Sequence, residues 1–406
     1  MSKKVLLVSN GHAEDLAAAE IGAALKRLAP QTEIAALPLV GLGKAYEKKE
    51  IKTLGLKKLL PSGGFAKEGL FHFLKDLGAG WLPLLRRQIA ILKTQKPDLV
   101  IAVGDAWVVA LCGRYVKKPL LFVDGPKSVK ITGYWPLEKY LMRRYCSGIV
   151  VQDQATADHL KNEKFPAHYL GSWVMDYVPL TGEDFGIESK KVIGILPGTR
   201  EEAYDNLGLI LKVIEKMAAQ ADREEKLVGL AASTLDRQRL AKKMTEINWR
   251  MHEPLPADLK RGITGMLVSP RGTPVYLAEG KFGDVCLRSD LIIGLAGIAN
   301  EQAVAFGKPA VCFPGGGPQT TLRRWQEIQK ITGKSMEILS GDAAAKATAI
   351  WRILRNPAKM AEMSRIGKES KPLWGGTERI VKLALDMLDN RGVQPQVASP
   401  ATKRRG

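Results

Sequence analysis

Cysteine is scarce in this 406-residue chain, and Cys112, Cys146, Cys286 and Cys312 stand apart, with no CxxC pair and no metal-ligand spacing. That argues against a disulfide framework and for a reduced, cytoplasmic protein without a structural metal. Aromatic residues make up only 6%. No RNP, KH or helix-turn-helix signature is present, which weighs against a nucleic-acid partner. No apolar run approaches the about 18–20 residues of a membrane span. GxSxG, HExxH and GxGxxG are missing, the ILPGTREE junction lacks the GK[ST] ending of a Walker A loop, and no Cys/His pairing suggests a thiol nucleophile. The opening MSKKVLLVSNGH runs straight into a strand and a glycine turn, unlike a signal peptide.

What is present is an ordinary globular composition, 45% hydrophobic and 25% charged. The length exceeds the about 250–300 residues at which single cores stop growing, so two domains are expected. Net charge is +19, unevenly spread. Residues 1–175 carry 26 Lys/Arg against 15 Asp/Glu, whereas residues 176–390 carry 31 against 27. A basic first half suits an anionic partner surface such as phosphate-rich lipid, although a solvated basic face has the same composition. Within that half, residues 57–93 combine Phe65, Phe71, Phe73, Trp81 and several leucines with seven basic and two acidic residues. Such a segment fits a membrane interface or a lipid-acceptor cleft; the competing reading is helices packed on the first core.

Short apolar runs alternate with helical periods along the whole chain. In the first half they are VLLVSN (5–10), EIAAL (33–37), DLVIAVG (98–104), PLLFV (119–123), GIVVQD (148–153) and HYLG (168–171). In the second they are KVIGILPG (191–198), KLVGLAAS (226–233), DLIIGL (290–295) and AVCFPG (310–315). This rhythm predicts βαβ units on parallel sheets, hence an α/β chain of two Rossmann-like halves. The expected boundaries are 1–174 and 175–375, then a final helix over 376–390. A basic tail, 391–406, rich in Pro, Gln and Ser, reads as disordered.

Four strand-to-helix junctions carry polar residues at the sheet edge where open α/β folds bind ligands. In VSNGHAED, Gly11 permits a tight turn, and His12 or Glu14 can act as a general base at a helix entrance; Glu14 and Asp15 equally suit the helix dipole. In VIAVGDAW, Asp105 reads first as an N-cap and second as a catalytic or acceptor-binding carboxylate. In ILPGTREE, Gly198, Thr199 and Arg200 offer backbone amides, a hydroxyl and a guanidinium, the groups a diphosphate needs. In GLAGIANEQ, Gly294 and Gly297 admit a ligand to the backbone, Asn300 suits a helix cap, and Glu301 can accept two hydroxyl hydrogen bonds from a ribose. PGGGPQ adds a second glycine loop, with Gly316 inside it and Gln319 at its end.

Taken as an ordered set, SNGHAED, LPGTREEAYDN and GIANEQAVAFGKPAVCFPGGGPQ resemble the lipid-A-disaccharide synthase family, closest to its "related" branch. The resemblance spans roughly residues 4–388. It implies a GT-B fold, two Rossmann-like domains with parallel sheets facing across a cleft, and inverting transfer from a UDP-sugar without a bound metal or other cofactor. It also implies that the final helix over 376–390 crosses back to the first domain. By the same resemblance Thr199 and Arg200 face the diphosphate, Glu301 the ribose, and Asn300, Gln302 and Gln319 the phosphate or sugar. His12, Glu14 or Asp105 activates the hydroxyl of an amphiphilic, lipid or lipid-linked acceptor. The protein would then sit at the inner face of the plasma membrane. Ala13, Ile298 and SWVMD (172–176) depart from the family pattern of GHGED, a Thr, and an Asn/His-Pro segment, and point away from lipid A itself as product. Two rival functions fit the same residues: a UDP-sugar 2-epimerase, which needs no lipid, and a non-catalytic binder of nucleotide-sugar or nucleic acid.

Overall fold

A computed structural model describes residues 2–55, 81–125, 127–187, 191–317, 320–371 and 374–389, without the side chains of His12, Trp81 and Leu82. Residues 57–80 of the basic amphipathic stretch, Gln319 and the tail after Asp389 lie outside the described residues. The chain divides into two compact units, Met1–Asp176 with Leu373–Gly406, and Tyr177–Pro372.

The first unit is built on seven strands: β1 (Lys4–Ser9), β2 (Glu33–Pro38), β3 (Lys52–Thr53), β4 (Leu99–Gly104), β5 (Leu120–Asp124), β6 (Gly148–Val151) and β7 (Ala167–Tyr169). All pair in parallel, in the order β3-β2-β1-β4-β5-β6-β7. Helices cover the strands, so β4, β5 and β6 are buried at every residue and read as continuous apolar runs. Strand order reverses between β1 and β4, which opens a crevice at their carboxyl ends.

The second unit holds eight strands: β8 (Lys191–Leu196), β9 (Leu227–Ala232), β10 (Arg250–His252), β11 (Ile263–Val268), β12 (Pro274–Ala278), β13 (Leu291–Gly294), β14 (Ala310–Cys312) and β15 (Met336–Ile338). Their order is β10-β11-β12-β9-β8-β13-β14-β15, with the reversal between β8 and β13. The edge is antiparallel, β10 on β11 and β11 on β12. Sequence periodicity gives no warning of this hairpin, because Thr264 and Gly265 interrupt the apolar run of β11. Its turn is made by Ser269–Thr273, where Gly272 takes φ +82° and the Ser269 hydroxyl accepts the Thr273 N–H at 3.0 Å.

The part of the amphipathic stretch that is described, the helix Trp81–Thr94, turns its apolar face into the first core. Leu84 and Leu92 are buried there, and Gln88 donates to the Pro38 carbonyl at 3.2 Å. Among the described residues no helix is long and apolar enough to cross a membrane.

The last helix, Gly376–Asp389, packs within the first unit. Asp176, at the end of SWVMD, accepts the Gly375 and Thr377 N–H groups at 2.6 and 2.7 Å. Arg379 donates to the Leu170 carbonyl at 2.6 Å, and Arg27 pairs with Glu378 at 2.7 Å. The segment thus supplies a carboxylate cap to an amino end that carries positive partial charge. Asp176→Ala is expected to cost about 1–2 kcal/mol of stability, read as a lower urea midpoint. An unchanged midpoint would mean that the cap does not hold the helix.

Candidate functional site

In the second unit, β8 and β13 end side by side and their helices start from the same edge. After β8 the chain turns at Pro197-Gly198, where Gly198 adopts φ +102°, a conformation that favours glycine. The helix Ala203–Gln220 begins five residues later, and Glu202 at its cap makes no side-chain capping bond. After β13 the helix Gly297–Ala305 begins, again with no side-chain cap. Two helix starts without side-chain caps therefore border one pocket of about 330 Å³. Gly198, Thr199, Arg200 and Gly297 line it, as do Ile298, Thr320 and Arg324.

Asn206 ties this edge together. It is buried, its Nδ2 donates to the Pro197 carbonyl at 3.3 Å, and its Oδ1 accepts the Gly316 N–H at 2.8 Å. A side chain at Gly315 would bring its Cβ within 2.5 Å of the Asn206 Oδ1, so glycine there permits the approach. In the sequence Asn206 lies inside LPGTREEAYDN, and the signal of its role there is an amide in an otherwise apolar helical period.

The ANEQ residues sit deeper than their sequence suggests. Asn300 is not the helix cap, because the chain needs only Leu295 and Ala296 to turn and the helix starts at Gly297. Asn300 lies one turn inside, buried, and donates to the Gly294 carbonyl at 3.0 Å. A Cβ on Gly294 would fall 1.8 Å from its Oδ1, so this glycine makes room for Asn300. Glu301 pairs with the buried Lys371 at 3.2 Å, and Gln302 is also buried. Neither Asn300, Glu301 nor Gln302 lines the pocket, and Gly316 is tied to it through Asn206 and through Thr320, whose hydroxyl donates to the Gly316 carbonyl at 2.6 Å.

In the first unit the corresponding edge is crowded with carboxyls. His12 opens the helix His12–Leu28 and Glu14 stands in its first turn, its carboxylate folded back over Gly11. Asp105 caps the helix Ala106–Tyr115, accepting the Trp107 N–H at 2.9 Å. Asn10 is fully buried against Gly104, and both of its amide atoms lack a partner. Beneath them lie two acids that sequence reading missed as site residues. Asp15 is buried and accepts the Ser9 hydroxyl at 2.6 Å; that oxygen also bonds the Tyr46 hydroxyl at 2.6 Å. Asp124 ends β5, buried, and accepts the Tyr134 hydroxyl at 2.5 Å.

Burial pushes both acids up to about 7. At Asp15 the Ser9 hydrogen bond opposes the rise and the Glu14 charge adds to it. At Asp124 the Tyr134 hydrogen bond and the Lys127 charge oppose it. Asp15 was legible as more than a first-turn acid, since it shares a face with Ala18, Ala19 and Gly22, all buried. Asp124 terminates an apolar strand just as Asp105 follows one.

No family model and no curated protein matches the chain. Solved structures do. CalG4, the calicheamicin glycosyltransferase, superposes with a TM-score of 0.60 at 13% identity, over 96% of this chain and 99% of that one. A Listeria monocytogenes protein described as a UDP-N-acetylglucosamine 2-epimerase gives 0.58 at 16% identity, over 97% and 99%. The S. aureus MnaA–UDP structure gives 0.59 at 17%, over 95% and 97%. At these identities the likeness is one of fold, the two Rossmann-like sheets of GT-B proteins.

The raised acids give a signed pH dependence. Between pH 4 and about pH 7 the folded chain keeps protons on Asp15 and Asp124 that the unfolded chain has released, so their contribution to stability falls as pH rises. Asp15→Asn and Asp124→Asn should each flatten that slope in urea titrations from pH 5 to 8. A slope unaltered in both variants would contradict the assignment.

Proposed function

We propose that this protein is a glycosyltransferase that moves a sugar from a UDP-sugar to an amphiphilic, lipid or lipid-linked acceptor, in the manner of a lipid-A-disaccharide synthase-like enzyme. The observation that carries the reading is the second-unit pocket, where two uncapped helix amino ends, Thr199, Arg200 and Arg324 surround a space of about 330 Å³. Backbone amides at helix starts, with a guanidinium beside them, are the means by which α/β proteins hold a diphosphate. In a sugar transfer that diphosphate is the leaving group, so the same groups stabilise the charge that develops on it.

The reaction is a single displacement with inversion. A base of the first unit, drawn from His12, Glu14 and Asp105, takes the proton from the acceptor hydroxyl as it attacks the anomeric carbon. The nucleoside diphosphate departs with the electron pair of the broken bond. Base assistance contributes about 10²–10⁴-fold. Asp105 is committed in part to its cap, which favours His12 and Glu14 for this work. Glu301 is proposed for the ribose hydroxyls from its place one turn inside the helix Gly297–Ala305, next to the pocket lining rather than in it, with Lys371 fixing its position.

The amphiphilic acceptor rests on features of the first unit. It carries most of the basic excess. Trp135, Leu137 and Tyr140, at and within the helix Pro136–Tyr145, are 71%, 66% and 61% exposed. Trp107 stands two residues beyond Asp105 and is 41% exposed. Apolar surface among lysines and arginines suits contact with anionic lipid at the cytoplasmic face of a membrane. A UDP-sugar 2-epimerase is the second reading, favoured by the equal likeness in fold to proteins bearing that name.

Incubation with UDP-GlcNAc, alone and with membrane extract, separates the two. Release of UDP that depends on extract, with a glycosylated lipid product, is expected; epimerised nucleotide-sugar without extract would overturn the transferase reading. Vesicles of anionic lipid should bind the protein less as salt rises, and salt-insensitive binding would argue against the acceptor class. Glu301→Ala should lose about 3–5 kcal/mol of stability by stranding Lys371, so the ribose role is tested with Glu301→Gln. That variant should fold and bind UDP more weakly; unchanged affinity would contradict the role.

A further inference from the structure

Arg324 belongs to neither glycine motif, yet it lines the second-unit pocket together with Thr199 and Arg200. It stands in the first turn of the helix Leu322–Thr332, which follows the glycine loop after β14. That helix start is fixed on two sides. Thr321 caps it by accepting the Arg324 N–H at 3.2 Å, and the next residue, Trp325, is fully buried and donates its indole N–H to the Phe313 carbonyl at 2.8 Å. The guanidinium is therefore held at the pocket by rigid backbone.

Its donors are only partly used. Nη1 donates to Glu327 at 3.2 Å, while Nε is buried without any acceptor. Glu327 is shared, since Arg323 donates to its other oxygen at 3.2 Å. One carboxylate between two arginines leaves the pair with net positive charge. Within the pocket wall Arg200 adds a second cation and Glu202 one anion. A planar guanidinium with spare donors, beside helix amides, matches the paired oxygens of a phosphate better than a single water does.

We infer that Arg324 is a second phosphate-binding cation of this pocket, gripping the diphosphate of a nucleoside diphosphate opposite Arg200. The inference rests on the nucleotide-sugar reading above and adds a third strand-helix junction, that of β14, to the two that form the site. It also gives Ile298 a place. An exposed apolar side chain lining the pocket, Ile298 can offer a phosphate no hydrogen bond, and Arg324 in the same lining can.

Calorimetry with UDP and with uridine tests it. Arg324→Gln should lower UDP affinity at least tenfold and leave uridine affinity within twofold of the parent. Melting temperature checks that the variant is folded. Equal UDP affinity in a folded Arg324→Gln protein would overturn the role of Arg324 and leave the pocket reading standing. A parent protein that binds no UDP would overturn the pocket reading itself. Modification of the unaltered protein by phenylglyoxal, mapped by mass spectrometry, guards against a variant that does not fold. UDP should slow labelling of Arg324 several-fold where uridine does not, and labelling unaffected by UDP would again overturn the proposal.

Discussion

A parallel strand cannot be joined to its neighbour by a tight turn, and both units of this protein follow from that constraint. Each parallel connection must cross over through a helix, so the helices that directly follow parallel strands start from the same edge of their sheet. Only the antiparallel edge β10-β11-β12 departs from this. Where strand order reverses, between β1 and β4 and between β8 and β13, consecutive crossovers leave on opposite faces and the edge stays open. The helix amino ends then converge on one place without further design. Burial of the strands on both faces makes the arrangement rigid, and short loops at its edge carry the chemistry.

The two edges are chemically opposite. In the second unit amides, Thr199, Arg200 and Arg324 present donors and positive charge around a pocket, suited to a polyanionic leaving group. In the first unit Glu14 and Asp105 stand at the rim over Asp15 and Asp124, whose burial holds much of their population protonated near neutral pH. A rim carboxylate beside buried acids that are about half protonated near neutral pH feels less like-charge repulsion than it would beside two full carboxylates. The edge can therefore concentrate acidic residues without accumulating their full charge, a condition that suits a general base in the first unit.

Much of this was legible because parallel strands buried on both faces leave unmistakable apolar runs. The runs DLVIAVG (98–104), KVIGILPG (191–198) and DLIIGL (290–295) each announced a strand that gives way to a helix at the sheet edge. Other features were hidden for identifiable reasons. β11 alternates buried and half-buried residues around Thr264 and Gly265, so its run is broken. Asn300 looks like a cap in sequence, but the cap position depends on how few residues the turn after β13 requires. Glu301 looks like an exposed first-turn acid, and only the fold brings Lys371, seventy positions later, against it. Arg324 carries no motif at all; its placement depends on Thr321 and Trp325 fixing a helix start.

SWVMD has a local explanation of the same kind, because it delivers Asp176 to the amino end of the last helix, where its carboxylate accepts two backbone N–H groups. The central claim, that the pocket between the β8 and β13 junctions holds a nucleoside diphosphate, is tested most directly by a crystal structure of the protein with UDP. The account predicts the diphosphate at the amino ends of the helices Ala203–Gln220 and Gly297–Ala305, within hydrogen-bond reach of Thr199, Arg200 and Arg324. UDP bound at another place in the molecule, or crystals soaked to saturation that leave this pocket without it, would contradict the account.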